Sequence, residues 1–357
     1  MSAPTLTATD GTATVGSVIA FNCTQGRRTK SEMYSSSRAS LTVRNPGSIP
    51  ASWVLERYVT VAINGNTVYW GYITNIEYNY GITSALDTAT ISFEGYLAFM
   101  GRGYLNGFAL TGGTTGAEAQ RVGNALTGSA KTITSSGTRS LTDTSTYTGA
   151  AQNVITTLVA MEQGRLRETN SLFFLGRDKL IDPAVSPYFY TKWKMTDVSP
   201  GSNGVAYDLV EFASLTDNYF TQVTISPSSV ATQQAGTGSR NLQISTYDSS
   251  TTQASNLASY TLNEFNTSTS VPTTVSTRNS LSWAMDPAAM IAEAPIGFML
   301  PITFRGTTYN SIIEGWTISA TPEDVRYTFA VSGYEQNNYL ILNDAVYGRL
   351  DYNKLGF

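Results

Sequence analysis

From Tyr58 to Ile63 the residues alternate with a period of two: Val59, Val61 and Ile63 share one side, Tyr58, Thr60 and Ala62 the other. That period marks a strand with one buried face. Asn64-Gly65-Asn66 follows. Asn-Gly suits a two-residue hairpin because both residues tolerate positive φ. Val68, Trp70 and Tyr72, then Ile73, Ile76 and Tyr78, carry a second strand back. Residues 89–93 alternate again and stop at Glu94-Gly95-Tyr96. Three strands with tight connections predict a meander, as in a small barrel or sandwich.

Residues 111–149 are rich in Thr, Ser and Gly and hold one short helical stretch, 117–126. The rest of that segment, 128–148, reads as an exposed loop or long hairpin. A clearer helix spans 150–163, where Val154, Leu158 and Met161 fall at i, i+4 and i+7. Gly164 is expected to end it in the left-handed conformation. Leu166 and Leu172-Phe173-Phe174-Leu175 predict a hairpin turning near Thr169-Asn170, and residues 218–225 a further strand. Residues 226–239 read as a polar connector. Ser250-Thr251-Thr252 then caps a helix over 253–262, and a last β-region covers 271–342.

That last region echoes the first. Ile302-Thr303-Phe304-Arg305-Gly306-Thr307-Thr308-Tyr309 matches Val61-Ala62-Ile63-Asn64-Gly65-Asn66-Thr67-Val68-Tyr69, and Gly333-Tyr334 answers Gly95-Tyr96. One β-unit therefore occurs twice, with an α+β insertion between its copies. The expected organisation is a first β-barrel domain at 1–105 and an α+β insertion at 106–225. A connector with a short helix at 226–270 and a second β-barrel domain at 271–357 complete it.

Composition narrows the chemistry. Only 13% of the 357 residues are charged, about half the roughly 25% usual in soluble proteins, so Ser, Thr, Asn, Gln, Gly and Tyr must cover the surface. Net charge is −4. The densest basic stretch, Arg27-Arg28-Thr29-Lys30, is short and reads as a solvated turn rather than a nucleic-acid site. There is no histidine and one cysteine, Cys23. Ser-His-Asp and Cys-His catalysis, most zinc sites and an intrachain disulfide are thereby excluded. Cys23 lies in an apolar run and is expected to be a buried thiol. No stretch reaches the ~18 apolar residues of a membrane span, and residues 1–5 lack signal-peptide character. A soluble protein made in a cytoplasm is expected.

Two carboxylates could serve glycosidase chemistry. Glu162 and Glu168 flank a predicted turn, but Arg165 and Arg167 between them favour surface ion pairs. No EF-hand, Walker or GxSxG pattern occurs. Tyrosine is abundant, with a cluster at Tyr188, Phe189, Tyr190 and Trp193 of the type found in carbohydrate or protein interfaces. No catalytic, cofactor-binding or metal-binding residue is assigned.

The order of motifs resembles one family. The chain carries Ser37-Arg38-Ala39-Ser40-Leu41-Thr42-Val43-Arg44-Asn45-Pro46-Gly47, then Glu162-Gln163-Gly164-Arg165-Leu166 and Leu172-Phe173-Phe174-Leu175-Gly176-Arg177. Asn218-Tyr219-Phe220-Thr221-Gln222-Val223 and Leu340-Ile341-Leu342-Asn343-Asp344-Ala345-Val346-Tyr347-Gly348-Arg349-Leu350-Asp351 follow. This is similar to the hub, or minor tail, proteins of siphophages. The resemblance implies a mainly β fold with two tail-tube-like β-barrel domains, an α+β insertion and smaller accessory domains. It implies a non-enzymatic virion protein of the tail tip or baseplate, assembled in the host cytoplasm, without cofactors and without membrane insertion. Implied partners are two further copies in a homotrimer, a distal tail protein or tail tube ring, a tail fibre or tip protein, the tape measure protein, and DNA passing without specific binding. The chain's stopping after the last phrase implies that no hydrolase or fibre domain follows. Rival expectations are a receptor- or carbohydrate-binding tail protein, and a cell-wall hydrolase using Glu162 or Glu168.

Overall fold

The computed structural model describes residues 3–127, 133–135, 137–141, 144–169, 171–176, 193–198, 204–213, 219–265, 271–281, 285–293 and 296–333. Tyr188, Phe189, Tyr190, Tyr334 and the phrase at 340–351 lie outside them. The fold is mainly β, with an α+β insertion.

The first β-unit contains β1 (Leu6–Thr9), β2 (Thr14–Val15), β3 (Val18–Gly26), β4 (Arg38–Arg44), β5 (Tyr58–Ile63), β6 (Asn66–Asn79) and β7 (Thr88–Glu94). The predicted meander is β5-β6-β7, all antiparallel. Its side chains alternate as read, with Val59, Val61 and Ile63 fully buried.

The insertion begins with α1 (Tyr96–Arg102), β8 (Tyr104–Ala109), α2 (Thr115–Thr127), β9 (Thr134–Ser135), β10 (Thr146–Ala150) and α3 (Ala151–Met161). β11 (Arg165–Glu168) and β12 (Leu172–Leu175) form the expected hairpin, and β9 joins β12 in parallel. The segment read as exposed loop is partly structured, since Ile133 and Leu141 are buried. Gln163, not Gly164, takes the positive φ of 49° after α3.

Next come β13 (Lys194–Thr196), β14 (Gly204–Ala206) and β15 (Leu209–Ala213). The boundaries read from sequence place these strands in the insertion, yet two of them pair with the C-terminal unit: β13 lies parallel to β20 (Met299–Phe304), and β15 antiparallel to β19 (Val271–Arg278), while β14 pairs with β13. Residues read as a connector also fold. β16 (Gln222–Pro227), β17 (Gln233–Gly236) and β18 (Asn241–Thr246) make a separate small sheet, covered by α4 (Thr251–Phe265) over its own apolar cluster. The last unit is completed by α5 (Pro287–Glu293), β21 (Thr307–Ala320) and β22 (Val325–Gly333).

The two β-units repeat strand for strand. In the first the order is β3-β4-β7-β6-β5; in the second it is β15-β19-β22-β21-β20. Each hairpin closes with two left-handed residues, Asn64 and Gly65 in one, Arg305 and Gly306 in the other. Each long strand is 14 residues and carries a bulge just past an isoleucine, at Thr74 after Ile73 and at Glu314 after Ile313. Both isoleucines bond the segment leading into the hairpin in the same way. Ile73 N–H donates to Arg57 O at 3.0 Å and Ile313 N–H to Phe298 O at 3.0 Å, while Glu56 and Gly297 N–H donate back at 2.8 Å. Glu56 and Gly297 both have positive φ. The units merge because β3 pairs antiparallel with the outer half of β21, giving one sheet of 14 strands.

Candidate assembly interface

Within this sheet, eight strands form a band in the order β15-β19-β22-β21-β3-β4-β7-β6. Strand register aligns its side chains into rows. One row runs Arg278, Arg326, Ser319, Asn22, Ser40, Ser92 and Asn75 across seven strands. Its neighbour on the same face runs Ser276, Thr328, Thr317, Thr24, Arg38 and Glu94. The row between them points the other way: Tyr327, Ile318, Cys23, Ala39, Phe93 and Ile73, all buried. The band therefore has one face of Ser, Thr and Asn with a few charges, and one face that is core. Cys23 is the buried thiol expected, and burial pushes its pKa up.

Three cations on the polar face have a carboxylate within 4 Å, while Arg44, exposed on the same face of β4, is in none of the ion pairs among the described residues. Arg38 lies 3.9 Å from Glu94; Arg278 and Arg326 lie 2.6 and 3.9 Å from Asp208. Asp208 serves two of these arginines and Glu94 bonds Arg102 more closely, at 2.7 Å, so the cations are few and only partly compensated among short hydroxyls and amides.

The seam between the units is locked from behind. Gly26 and Gly315 face each other across β3 and β21, and a Cβ on either would strike the other strand's backbone. Past them, Arg27 N–H donates to Glu314 O at 3.0 Å and Arg27 Nε to Glu314 Oε2 at 2.8 Å. Arg165 Nη2, from β11, donates to Glu314 Oε1 at 2.7 Å, and Ser332 Oγ donates to the same oxygen at 2.6 Å. Burial alone would raise the Glu314 carboxyl, but the two guanidiniums and the hydroxyl bring its pKa down to about 2. The basic stretch is thus not a solvated turn throughout: Arg27 is committed to this buried pair, and Lys30 pairs with Glu264.

Glu162 and Glu168 are not surface ion pairs either; both are buried. Glu168 Oε1 accepts from Ser37 N–H and Oε2 from Leu97 N–H, each at 2.6 Å, and its backbone carbonyl accepts from Gln25 Nε2. Burial pushes its pKa up to about 7 against the pull of those bonds. Glu162 Oε1 accepts from Thr115 Oγ1 and from Arg139 N–H, and Arg139 reaches Asp248 at 2.9 Å. The two carboxylates bond different neighbours, one fastening β11 to the first β-unit and the other fastening α3 to the segment before it. Trp193 is buried. Among the described residues no group of three or more His, Cys, Asp or Glu is placed to hold a metal ion, and no helix is long and apolar enough to cross a membrane.

The band ends on two open edges that sequence reading missed. Among the described residues, β15 has a strand partner only in β19, and residues 75–79 of β6 have one only in β7. Tyr78 and Tyr80 stand exposed at the β6 edge, stacked at 6.5 Å. The alternation of Ile76, Tyr78 and Tyr80 with Asn75, Glu77 and Asn79 was the available signal.

No family model and no curated protein matches the sequence. Solved structures do match. A tail protein from Neisseria meningitidis MC58 aligns over 92% of this chain and 97% of its own, with TM-score 0.63 at 13% identity. The 43 kDa tail protein of prophage MuSo2 from Shewanella oneidensis aligns over 92% and 98%, with TM-score 0.58 at 11% identity. The fold is that of phage tail proteins. Prophage tail protein gp18 from Listeria monocytogenes EGD-e aligns over 93% and 95%, with TM-score 0.50 at 11% identity. The likeness spans nearly the full length of each of these proteins, so it includes the insertion as well as the β-units.

Proposed function

We propose that this chain is a structural, non-enzymatic subunit of a phage-type tail, forming a ring of three copies at the tail tip around the DNA channel. The observation that carries this reading is the duplicated β-unit fused into one band. Three copies present six similar units, so the ring meets a sixfold tail tube or distal tail ring on one side. On the other side its true threefold symmetry meets a tip or fibre protein. The polar face of the band, mostly hydroxyls and amides with few arginines, suits a conduit wall, because duplex DNA slides past such groups without a long row of cations to hold it. The tape measure protein would occupy the same channel before DNA passes. Glu162 and Glu168 are spent on buried fastening, which supports a scaffold over a hydrolase. Mass in solution tests the ring: native mass spectrometry of the purified protein is expected to give three times the 38.5 kDa chain. A strict monomer at every concentration overturns it.

A further inference from the structure

We propose that the outer end of β6 and the residue after it, residues 77–80, receive β15 (Leu209–Ala213) of a second copy of this chain as an antiparallel strand. The pairing copies the one β3 already makes with β21 inside each chain. Its count of copies rests on the ring reading above; its residues and register rest on the internal repeat.

The repeat fixes which positions correspond. Ile73 and Ile313 bond alike to the segments before their hairpins, and each is followed by the bulge residue. Residues 76, 78 and 80 therefore correspond to Trp316, Ile318 and Ala320. The two sets differ sharply in burial. Ile318 and Ala320 are 0% and 2% exposed, whereas their counterparts Tyr78 and Tyr80 are 49% and 76% exposed; Ile76, nearer the bulge, still packs against the core. What covers the first set is β3 and the core behind it, with Phe21 opposite Ala320 and Cys23 opposite Ile318. Among the described residues no strand other than β7 pairs with residues 75–79 of β6.

The covering strand has a counterpart too. Phe21 pairs through Leu41 to Ile91, and Val210 pairs through Val275 to Phe329. Ile91 and Phe329 are themselves equivalent, being the partners of Ile76 and Trp316. Val210 thus corresponds to Phe21 and Glu211 to Asn22. Phe21 sits opposite Ala320 and Asn22 opposite Ser319. Transferred to the second copy, Val210 sits opposite Tyr80 and Glu211 opposite Asn79. Val210 and Phe212 then cover the tyrosines on the core face, and Glu211 joins Asn79 on the polar face. Asn75 stands where Gly315 allows close approach to Gly26, so its Cβ stops the new pairing short, at about residue 77.

β15 and the outer half of β6 are opposite ends of one eight-strand band, and among the described residues they do not pair with each other within the chain. Joining end to end is a heterologous contact, and such contacts close into rings or run on as filaments. Open apolar edges are otherwise an aggregation hazard, and strand addition fills them with backbone hydrogen bonds.

Paired cysteines test the register in the full-length protein. The double variant Val210→Cys/Tyr80→Cys is expected to convert from monomer to covalent trimer on oxidation, read on non-reducing gels. Glu211→Cys/Tyr80→Cys, which puts the thiols on opposite faces, is expected to stay uncrosslinked. Cys23 is buried and does not compete. Tyr78→Lys/Tyr80→Lys changes a half-exposed and an exposed side chain, so it is expected to keep the parent's far-ultraviolet circular dichroism while losing assembly. A trimer that never crosslinks at this register, or that survives both lysines, overturns the strand pairing and leaves the ring reading standing. A protein that is monomeric throughout overturns both.

Discussion

Arg165 and Glu314 meet at 2.7 Å with both side chains withdrawn from solvent, tying the insertion to the bulge of the second β-unit. Arg27 takes the other Glu314 oxygen, so one carboxylate joins the seam of β3 and β21 to β11. Removing one partner of such a buried pair strands the others, which typically costs about 3–5 kcal/mol. Glu314→Gln should therefore lower the urea midpoint far more than Glu211→Gln on the exposed β15. Equal effects would show that the pair does not hold the seam.

The same carboxylate predicts an acid limb. In the folded protein Glu314 keeps its charge down to about pH 2, and its ordinary pKa is 4.5. Its stabilisation is complete above pH 4.5 and is lost as pH falls toward 2, about 3 kcal/mol in all at 1.36 kcal/mol per unit. Chemical denaturation across that range should show the loss in the parent and a shallower one in Glu314→Gln.

Glu168 acts with the opposite sign. Burial lifts it from 4.5 to about 7, so its contribution is full below pH 4.5 and fades as pH rises through 7. Glu168→Gln cannot titrate and loses one backbone hydrogen bond, because an amide nitrogen cannot accept from Leu97 N–H. It should be less stable than the parent at pH 5, and its melting temperature should be flat from pH 5 to 8. A slope equal to the parent's would assign the pH dependence to another group.

The two hairpin turns should respond alike. Gly65 and Gly306 have φ of 79° and 82° with open space around them. Alanine at either place faces only the left-handed backbone, roughly 1–2 kcal/mol. Matching losses in urea midpoint are expected, and a loss at only one turn would break the equivalence of the units.

A conduit wall should not hold its cargo. The purified protein is expected to leave duplex DNA unshifted in gels at low salt, where phosphate contacts are strongest. A shift that salt removes would mark a basic surface this account does not contain.

How far the sequence could be read depended on the range of the interactions. Val59, Val61 and Ile63 announced their strand because alternation is local, and Asn64-Gly65 its turn because positive φ is a property of those residues. Arg305-Gly306 has no such local signal for Arg and was legible only as an echo of the first turn. The burial of the carboxylates has no such local signal. Glu168 is held by Ser37 and Leu97, 131 and 71 residues away, and nothing beside it in the chain announces those partners. β13 and β15 fall inside the predicted insertion because pairing with β20 and β19 across so many residues leaves no trace in periodicity. Gly164 looked like the helix terminator, while Gln163 carries the left-handed turn one position earlier.

The most direct test of the central claim is a reconstruction of the intact tail that contains this chain. Three copies should ring the tail axis, with the rows containing Asn22, Ser40, Ser92 and Thr317 facing the channel. A single copy off the axis, or a ring with that face turned outward, would contradict the account.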